Sequence, residues 1–456
     1  MAVEIGTAAG HIDLMNKLMT FLSTNSDLVA AGQQWEVLRN SNLPMPLTWP
    51  GRIAFYNNGS GSNSFPTTMP DAVPAGLNSS VSIKIRFAGK ISLPSDGSYA
   101  FALLAKDQME LRIDGVLIAG VYASNAANSF TQTGSAVTLS AGLHDIEVTF
   151  ITGSTAGIGM SLGWKKPGDA SFSIIPAGNY SDMTGAYGYA DYANPTAADM
   201  QAVIADKEYV VKGPGLSGSD AIYMAMRTVS SVQNDLYNVL SRYTTGYNEN
   251  ASQGQQPGVG SAAYSLMWNQ DIKYWFIANG RRFIVIAKIS TTYASLYGGF
   301  ILPYGLPSEI PYPIAAGASC AINARWSIQT ENHSSFWNPG GYSSDSVGSL
   351  YLRRTDGAGD VFKNIYYQAE APGKTYPYSS LLGFRTSPSN DYALQPVVLY
   401  STAGGGNVWG EFDGVFHIPG YNNASENTLV IGGKTYLIVQ SGYRTTASDY
   451  AAILLE

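Results

Sequence analysis

Residues 81–176 restrict this chain more than any other stretch. Val81, Ile83, Ile85 and Phe87 alternate with Ser82, Lys84 and Arg86, the period-2 pattern of a half-buried strand. Short runs at 99–104, 109–113, 136–139, 144–151 and 159–164 continue it. Asp114-Gly115 stands between Leu111-Arg112-Ile113 and Val116-Leu117-Ile118. That is a two-residue hairpin signal, because both turn positions need positive φ. Strands so short and closely spaced predict a two-sheet sandwich.

The rest of the chain is also β in character. Past Glu208, runs at 273–277, 283–289, 350–354, 397–400 and 436–439 predict strands, with a second hairpin at Gly432-Gly433. The N-terminus differs. Ile12, Leu14, Met15, Leu18, Met19 and Leu22 recur at helical spacing, with Thr7 as the expected N-cap and Asn25-Ser26 as the stop. A short helix at 27–31 and a strand at 35–39 follow, and a further helical piece is expected at 196–205. Residues 40–80 are rich in Pro, Gly and Ser and mark a boundary. The fold class is therefore mainly β: one sandwich inserted into a second antiparallel sandwich body with a short N-terminal helical segment.

Composition removes several functions. The chain has 456 residues, room for two to four domains. Lys and Arg number 26 against 33 Asp and Glu, a net charge of −7, so no basic surface is available to neutralise phosphates. Charged residues make up 13%, about half the usual share, and 49 Gly and 30 Tyr help fill the gap. One cysteine excludes an internal disulfide framework and any Cys-rich zinc site. No signal peptide is visible, and the most apolar stretch, 274–289, is interrupted by Asn279, Gly280, Arg281 and Arg282. A protein made in a cytoplasm yet carrying an extracellular type of surface points to a virion component.

Two resemblances sharpen this reading. Gly89-Lys90-Ile91-Ser92-Leu93-Pro94, Gly97-Ser98-Tyr99-Ala100-Phe101 and Leu111-Arg112-Ile113-Asp114-Gly115 resemble a PA14-like domain. So do Val137-Thr138-Leu139-Ser140-Ala141-Gly142-Leu143-His144-Asp145-Ile146, Leu162-Gly163-Trp164 and Ile174-Ile175-Pro176. The resemblance implies a two-sheet sandwich of the kind inserted in adhesins, toxins and glycosidases. Some members bind sugar through calcium held by two adjacent aspartates. Here that place reads Lys106-Asp107, which leaves Asp107 as the one candidate metal ligand and argues against a calcium–sugar site.

The remainder resembles a family of tailed-bacteriophage virion structural proteins. The resemblance rests on Tyr209-Val210-Val211-Lys212-Gly213-Pro214-Gly215, Ile272-Lys273-Tyr274-Trp275-Phe276-Ile277-Ala278-Asn279-Gly280-Arg281-Arg282, Gly299-Phe300-Ile301-Leu302-Pro303-Tyr304 and Gly414-Val415-Phe416-His417-Ile418-Pro419-Gly420. It implies a place in a tail or baseplate, partners among other virion proteins, and a homo-oligomer, with a trimer favoured. The expected domains are a docking segment at 1–48, a PA14-like sandwich at 49–180 and a virion-protein body at 181–456.

Candidate sites are few. Gly213-Pro214-Gly215-Leu216-Ser217-Gly218 fits G-x-G-x-x-G, but alternation of Ile222, Met224 and Met226 predicts a strand where a dinucleotide site needs a helix. His11, His144, His333 and His417 are too far apart in sequence to form a local metal pair. Cys320 with His333 could form a nucleophile pair, although a lone thiol is more often a small core residue. A glycan hydrolase needs paired carboxylates, and the pairs are Glu411 with Asp413, Asp356 with Asp360 and Asp107 with Glu110. Several of these lie in Asp-Gly turns, so the structural reading leads. Tyr293, Tyr297, Tyr304 and Tyr312 lie in Gly- and Pro-rich surroundings and are candidate interface or glycan contacts.

The expectation is a non-enzymatic structural component of a phage tail or baseplate, with no cofactor, no nucleic acid and no membrane insertion. A glycan-binding adhesin acting through the PA14-like domain is the alternative, and an envelope-glycan hydrolase the second.

Overall fold

The computed structural model describes residues 1–42, 45–48, 83–105, 108–121, 134–152, 160–189, 206–231, 235–249, 251, 253–318, 325–327, 335–337, 350–354, 361–364, 392, 394–401, 407–442 and 450–456. The chain forms two compact units, one of Met1–Ser41 with Lys207–Glu456 and one of Asn42–Asp206. Both are built from antiparallel sheets.

In the smaller unit, one sheet has the order Met45–Thr48, Tyr180–Tyr189, Ile83–Leu93, Gly142–Thr152, Gln108–Ile113, Val116–Val121. The other has the order Ser173–Ile174, Met160–Lys165, Gly97–Ala105, Val137–Leu139. Ile85, Phe87 and Ile91 from the first sheet meet Tyr99, Phe101, Leu103 and Trp164 from the second in one buried core. The alternation visible in the sequence thus becomes the inner face of a sandwich. Met45–Thr48 and Tyr180–Tyr189 pair with each other and belong to this unit's larger sheet.

The larger unit has three sheets where the sequence predicts two. Its seven-stranded sheet runs Ala2–Ala9, Asp271–Ala278, Arg282–Ile289, Thr292–Phe300, Ile314–Gly317, Leu350–Arg354, Val361–Asn364. Phe283, Val285 and Ile289 share a core with the N-terminal helix and a five-stranded sheet. Ile284 and Ile286, on the opposite face, share a core with Val415, Leu437 and Ile453 of a third sheet. Because both faces are covered, residues 283–287 of the strand Arg282–Ile289 read as a continuous apolar run without alternation. Among the described residues no helix is long and apolar enough to cross a membrane.

The N-terminus departs from expectation. Residues Ala2–Ala9 form a strand antiparallel to Asp271–Ala278, and the helix begins at His11, not after Thr7. Gly10, with φ of 95°, makes the break that a side-chain cap would otherwise make. Asp13 in the first turn accepts from the Ala9 amide at 2.8 Å. Of the expected apolar stripe, Leu14, Met15, Leu18, Met19 and Leu22 are buried, Ile12 is only half-buried, and Phe21, outside the expected set, is buried with them. A second helix, Ser26–Ala30, is capped by the Asn25 side chain.

The five-stranded sheet places Glu36–Asn42 beside Lys207–Gly213. Arg39 pairs with Glu208 at 2.8 Å and Glu36 with Lys212 at 3.8 Å. The pairs run in opposite order along the two strands, so the strands are antiparallel. The chain therefore leaves this sheet at the end of one strand and re-enters at the start of its neighbour.

Candidate functional site

In the smaller unit, polar groups gather at the hairpin the sequence predicts. Asp114 and Gly115 hold φ of 48° and 76°, as a two-residue turn requires. Asp114 Oδ1 accepts from the Asp145 amide at 2.9 Å, and its Oδ2 lies 2.7 Å from His144 Nδ1. The other ring nitrogen, Nε2, lies 2.9 Å from the Ser140 carbonyl oxygen. Both neighbours are acceptors, so both bonds form only when the ring carries two protons. The hydrogen bond to Asp114 raises the His144 pKa, against partial burial and with help from the Ser140 carbonyl. Burial pushes the Asp114 carboxyl up, but His144 and the Asp145 amide outweigh it and hold it low. Lys90 Nζ contacts Asp145 Oδ1 at 2.5 Å. Val116 and Leu143 flank this turn region in sequence and are both largely exposed. Asp107 lies outside the described residues, and its sequence partner Glu110 is buried and held by Arg112 Nε at 2.6 Å.

In the larger unit the four tyrosines separate. Tyr297 is fully buried and its hydroxyl donates to the Phe300 carbonyl at 2.6 Å. Tyr312 is half-buried, accepting from the Tyr223 amide at 3.0 Å and donating to the Ala221 carbonyl at 2.9 Å. Tyr293 donates to Glu426 Oε1 at 2.7 Å, and Lys273 and Lys288 each reach the same carboxylate at 2.6 Å. Burial pushes Glu426 up, but these three donors bring its pKa down to about 2. These three tyrosines fasten the fold. Tyr304 is different: it is 53% exposed, and its hydroxyl donates to Glu411 Oε2 at 2.6 Å.

The carboxylates Glu411 and Asp413 share a strand, Asn407–Ile418, with Phe412 buried between them. Asp413 accepts from Asn279 Nδ2 at 3.3 Å and lies 3.8 Å from Nε of the fully buried Arg282. Glu411 is held by Tyr304. Each carboxylate has its own partner, and the geometry assigns neither to a shared reacting centre. Asp356, Asp360, Cys320 and His333 lie outside the described residues.

The glycine motif is a turn. Gly213 ends the strand Lys207–Gly213, and the next element is the strand Ile222–Ser231, antiparallel to it. A Cβ on Gly213 would lie 2.8 Å from the Trp35 ring and 2.9 Å from the Gly280 carbonyl oxygen. The glycine is there for close packing, not for phosphate. His11 Nε2 meets Ser230 Oγ at 2.8 Å, and burial lowers its pKa to about 4. His417 is also buried, with a pKa lowered to about 3. Among the described residues no group of three or more His, Cys, Asp or Glu is placed to hold a metal.

Sequence reasoning missed two pairings, Tyr304 with Glu411 and Arg39 with Glu208. Their separations are 107 and 169 residues, and no local pattern announces either.

The smaller unit thus defines the class: a two-sheet antiparallel sandwich module carried within a longer β protein. Residues 74–178 match the PA14 domain, so the chain carries a PA14 domain. Among solved structures it is similar to the PA14 domain of the MpAFP antifreeze protein, with 20% identity, a TM-score of 0.19, and coverage of 22% of this chain and 52% of that one. It is also similar to the PA14 sugar-binding domain from an RTX adhesin, with 21% identity, a TM-score of 0.18, and coverage of 21% and 53%. A third likeness is to an anti-sigma factor domain-containing protein from Clostridium clariflavum, with 16% identity, a TM-score of 0.20, and coverage of 44% and 57%. The chain spans about half the length of the first two. No curated protein matches it.

Proposed function

We propose that this chain is a non-enzymatic structural protein of a tailed-phage tail or baseplate, and that its PA14 domain attaches the particle to host-surface glycan. The observation that carries the attachment role is the PA14 domain at 74–178, grafted into the chain between two neighbouring strands of one sheet. The PA14 resemblance implies adhesins among its relatives, and that role comes to this chain as a proposal.

The virion role is supported by where the second resemblance falls. Its segments lie largely in strands of the larger unit, including Lys207–Gly213, Asp271–Ala278 and Asn407–Ile418. They contribute Tyr209, Val211, Trp275, Ile277, Phe412 and Val415 to the buried cores of that unit. The partner-bound carboxylates Glu411 and Asp413 favour this reading over a hydrolase. The particle context also supplies the expected partners: other tail proteins and further copies of this chain, as a trimer. Glycan binding is expected without calcium, since Lys106 stands where a second carboxylate would be needed.

The test is the purified full chain on an array of bacterial-surface glycans, with and without calcium, beside a variant lacking residues 42–206. Binding lost with the deletion supports attachment through the PA14 domain. No retention under either condition removes that role. Absence of the chain from purified particles, judged by antibody labelling, removes the virion assignment.

A further inference from the structure

We propose that the edge strand Ala2–Ala9 is a self-docking surface: a second copy of this chain adds its own Ala2–Ala9 antiparallel to it, about a twofold axis at Ile5. The strand ends the seven-stranded sheet, with Asp271–Ala278 on one side only. The direction of its free groups follows from the ladder. The Asn279 amide donates to the Arg282 carbonyl at 3.0 Å, in line with the register of Asp271–Ala278 against Arg282–Ile289. Odd-numbered residues of Asp271–Ala278 therefore bond to Arg282–Ile289, and even-numbered ones to Ala2–Ala9. Glu4 and Gly6, opposite Phe276 and Tyr274, face that neighbour. The N–H and C=O groups of Val3, Ile5 and Thr7 point the other way, and among the described residues no backbone hydrogen bond reaches them. Ala9 is odd as well, but its amide is taken by Asp13. The open row thus runs from Val3 to Thr7, in a strand without lysine, proline or bulge.

The row selects its own copy. With Ile5 opposite Ile5, Val3 falls opposite Thr7, and every open residue exchanges both its backbone bonds with its counterpart. Glu4 then lies opposite Gly6, so no like charges face each other. Sliding the register toward the N-terminus by one bonded pair puts Glu4 opposite Glu4, and parallel in-register pairing sets the same two side by side. Sliding it the other way sets Val3 against Ala9, whose amide is already engaged. Glu4 Oε1 accepts from the Tyr274 hydroxyl at 2.8 Å, which holds the carboxylate on its own chain. Ile5 is 58% exposed, on the same face as Val3, which packs against the core shared with the third sheet. In the pair the two Ile5 side chains cover each other and extend that apolar layer. A contact this short buries little area, so the pairing is weak in dilute solution and grows with concentration. It rests neither on glycan binding nor on the trimer proposed above; joined to that trimer, it doubles it.

The test is the mass of the full chain, tagged only at its C-terminus, by sedimentation from about 1 µM to about 1 mM. Wild type is expected to pass, as concentration rises, to a species of twice the starting mass. Ile5→Lys puts a charge on the edge and is expected to stay at the starting mass. A wild type that never doubles, or an Ile5→Lys variant that doubles as readily, overturns the proposal. Ile5→Cys reads the register and serves even where Ile5→Lys fails to fold. Opposite residues of a bonded pair have Cα atoms ~5.5 Å apart, within disulfide reach. Oxidised Ile5→Cys is expected to give two chains joined at residue 5, with peptide mapping to set aside Cys320. Thr7→Cys is not, because Thr7 lies opposite Val3. Linkage through Thr7→Cys instead, or through neither, overturns the pairing. A peptide of residues 2–9 is expected to compete for the edge and reduce the doubled species. An unrelated strand-forming peptide that competes equally well overturns the second copy as occupant and leaves an edge that accepts any strand.

Discussion

Arg39 and Glu208 form an ion pair buried in the larger unit, with Arg39 Nη1 2.8 Å from Glu208 Oε2 and 169 residues of chain between them. The guanidinium also donates to the carbonyls of Ala251 and Glu249, at 2.8 and 2.7 Å. Glu208 Oε1 accepts the Gln253 amide at 3.1 Å. The pair therefore ties two neighbouring strands to the backbone of Glu249, Ala251 and Gln253. Arg39→Ala leaves a carboxylate buried without its cation and is expected to cost about 3–5 kcal/mol. The double change Arg39→Met, Glu208→Leu removes the charge but orphans those carbonyls, so it should recover only part of that loss. Urea unfolding of the three proteins checks the order. A double variant as stable as wild type would show that these backbone contacts contribute nothing.

Deleting residues 42–206 and joining Ser41 to Lys207 through Asn-Gly should leave a folded larger unit. The two strands are already antiparallel neighbours, and a two-residue turn suits that geometry. The expected product is cooperative in thermal unfolding and retains near-UV signals. A product that binds a hydrophobic dye and melts without a transition would mean the 42–206 segment is needed to complete the core.

The sequence made most strands legible, and for a clear reason. Ile85 and Phe87 alternate with Lys84 and Arg86 because only the first two belong to the apolar sandwich core; Lys84, on the other face, is buried too, which the alternation does not reveal. The Asp114-Gly115 and Gly432-Gly433 turns were legible because both need positive φ. The strand at Ala2–Ala9 was hidden: it takes its structure from the adjacent Asp271–Ala278 edge, and local propensity there says little. The third sheet was hidden as well, because a continuous apolar run such as 283–287 does not say what covers each face. Of the tyrosines, sequence could not tell the buried Tyr297 from the exposed Tyr304, since both lie near glycines.

Histidine titration by NMR should separate three of the four rings. His144 should titrate above the ordinary value of 6.5, while His11 and His417 should protonate only near 4 and 3. Replacing Asp114 by Asn removes the main cause and should bring His144 down. A raised folded pKa stabilises below the unfolded value and is lost as pH rises through the folded one. The hairpin of the smaller unit should therefore be tighter at pH 5.5 than at pH 8.5, by about 1 kcal/mol or less because Asp114 is half-exposed. An unshifted His144 would show that the ring is not doubly hydrogen-bonded.

Gly213→Ala tests the packing reading of the glycine motif. Trp35 is 1% exposed and donates from Nε1 to the Asn279 carbonyl at 2.9 Å, so it has little room to move. A methyl forced against it and the Gly280 carbonyl should cost about 1–3 kcal/mol. Trp35→Ala empties the same place and should cost about 3–5 kcal/mol. If the motif bound a nucleotide, Gly213→Ala would instead weaken that binding at little cost in stability. Denaturant midpoints with and without added nucleotide distinguish the two.

Glu426 should make the larger unit acid-sensitive in a defined window. Its folded pKa is about 2 against an ordinary value of 4.5, because Lys273, Lys288 and Tyr293 all donate to it. A depressed carboxyl stabilises above its unfolded pKa, and that stability is lost as pH falls from about 4.5 to 2. The two lysines are partly in solvent, which keeps the effect to about 1 kcal/mol. Glu426→Gln should lower stability at pH 7 and flatten its decline between pH 4.5 and 2, relative to wild type. Parallel curves for the two proteins across that window would mean that Glu426 titrates alike in the folded and unfolded chain.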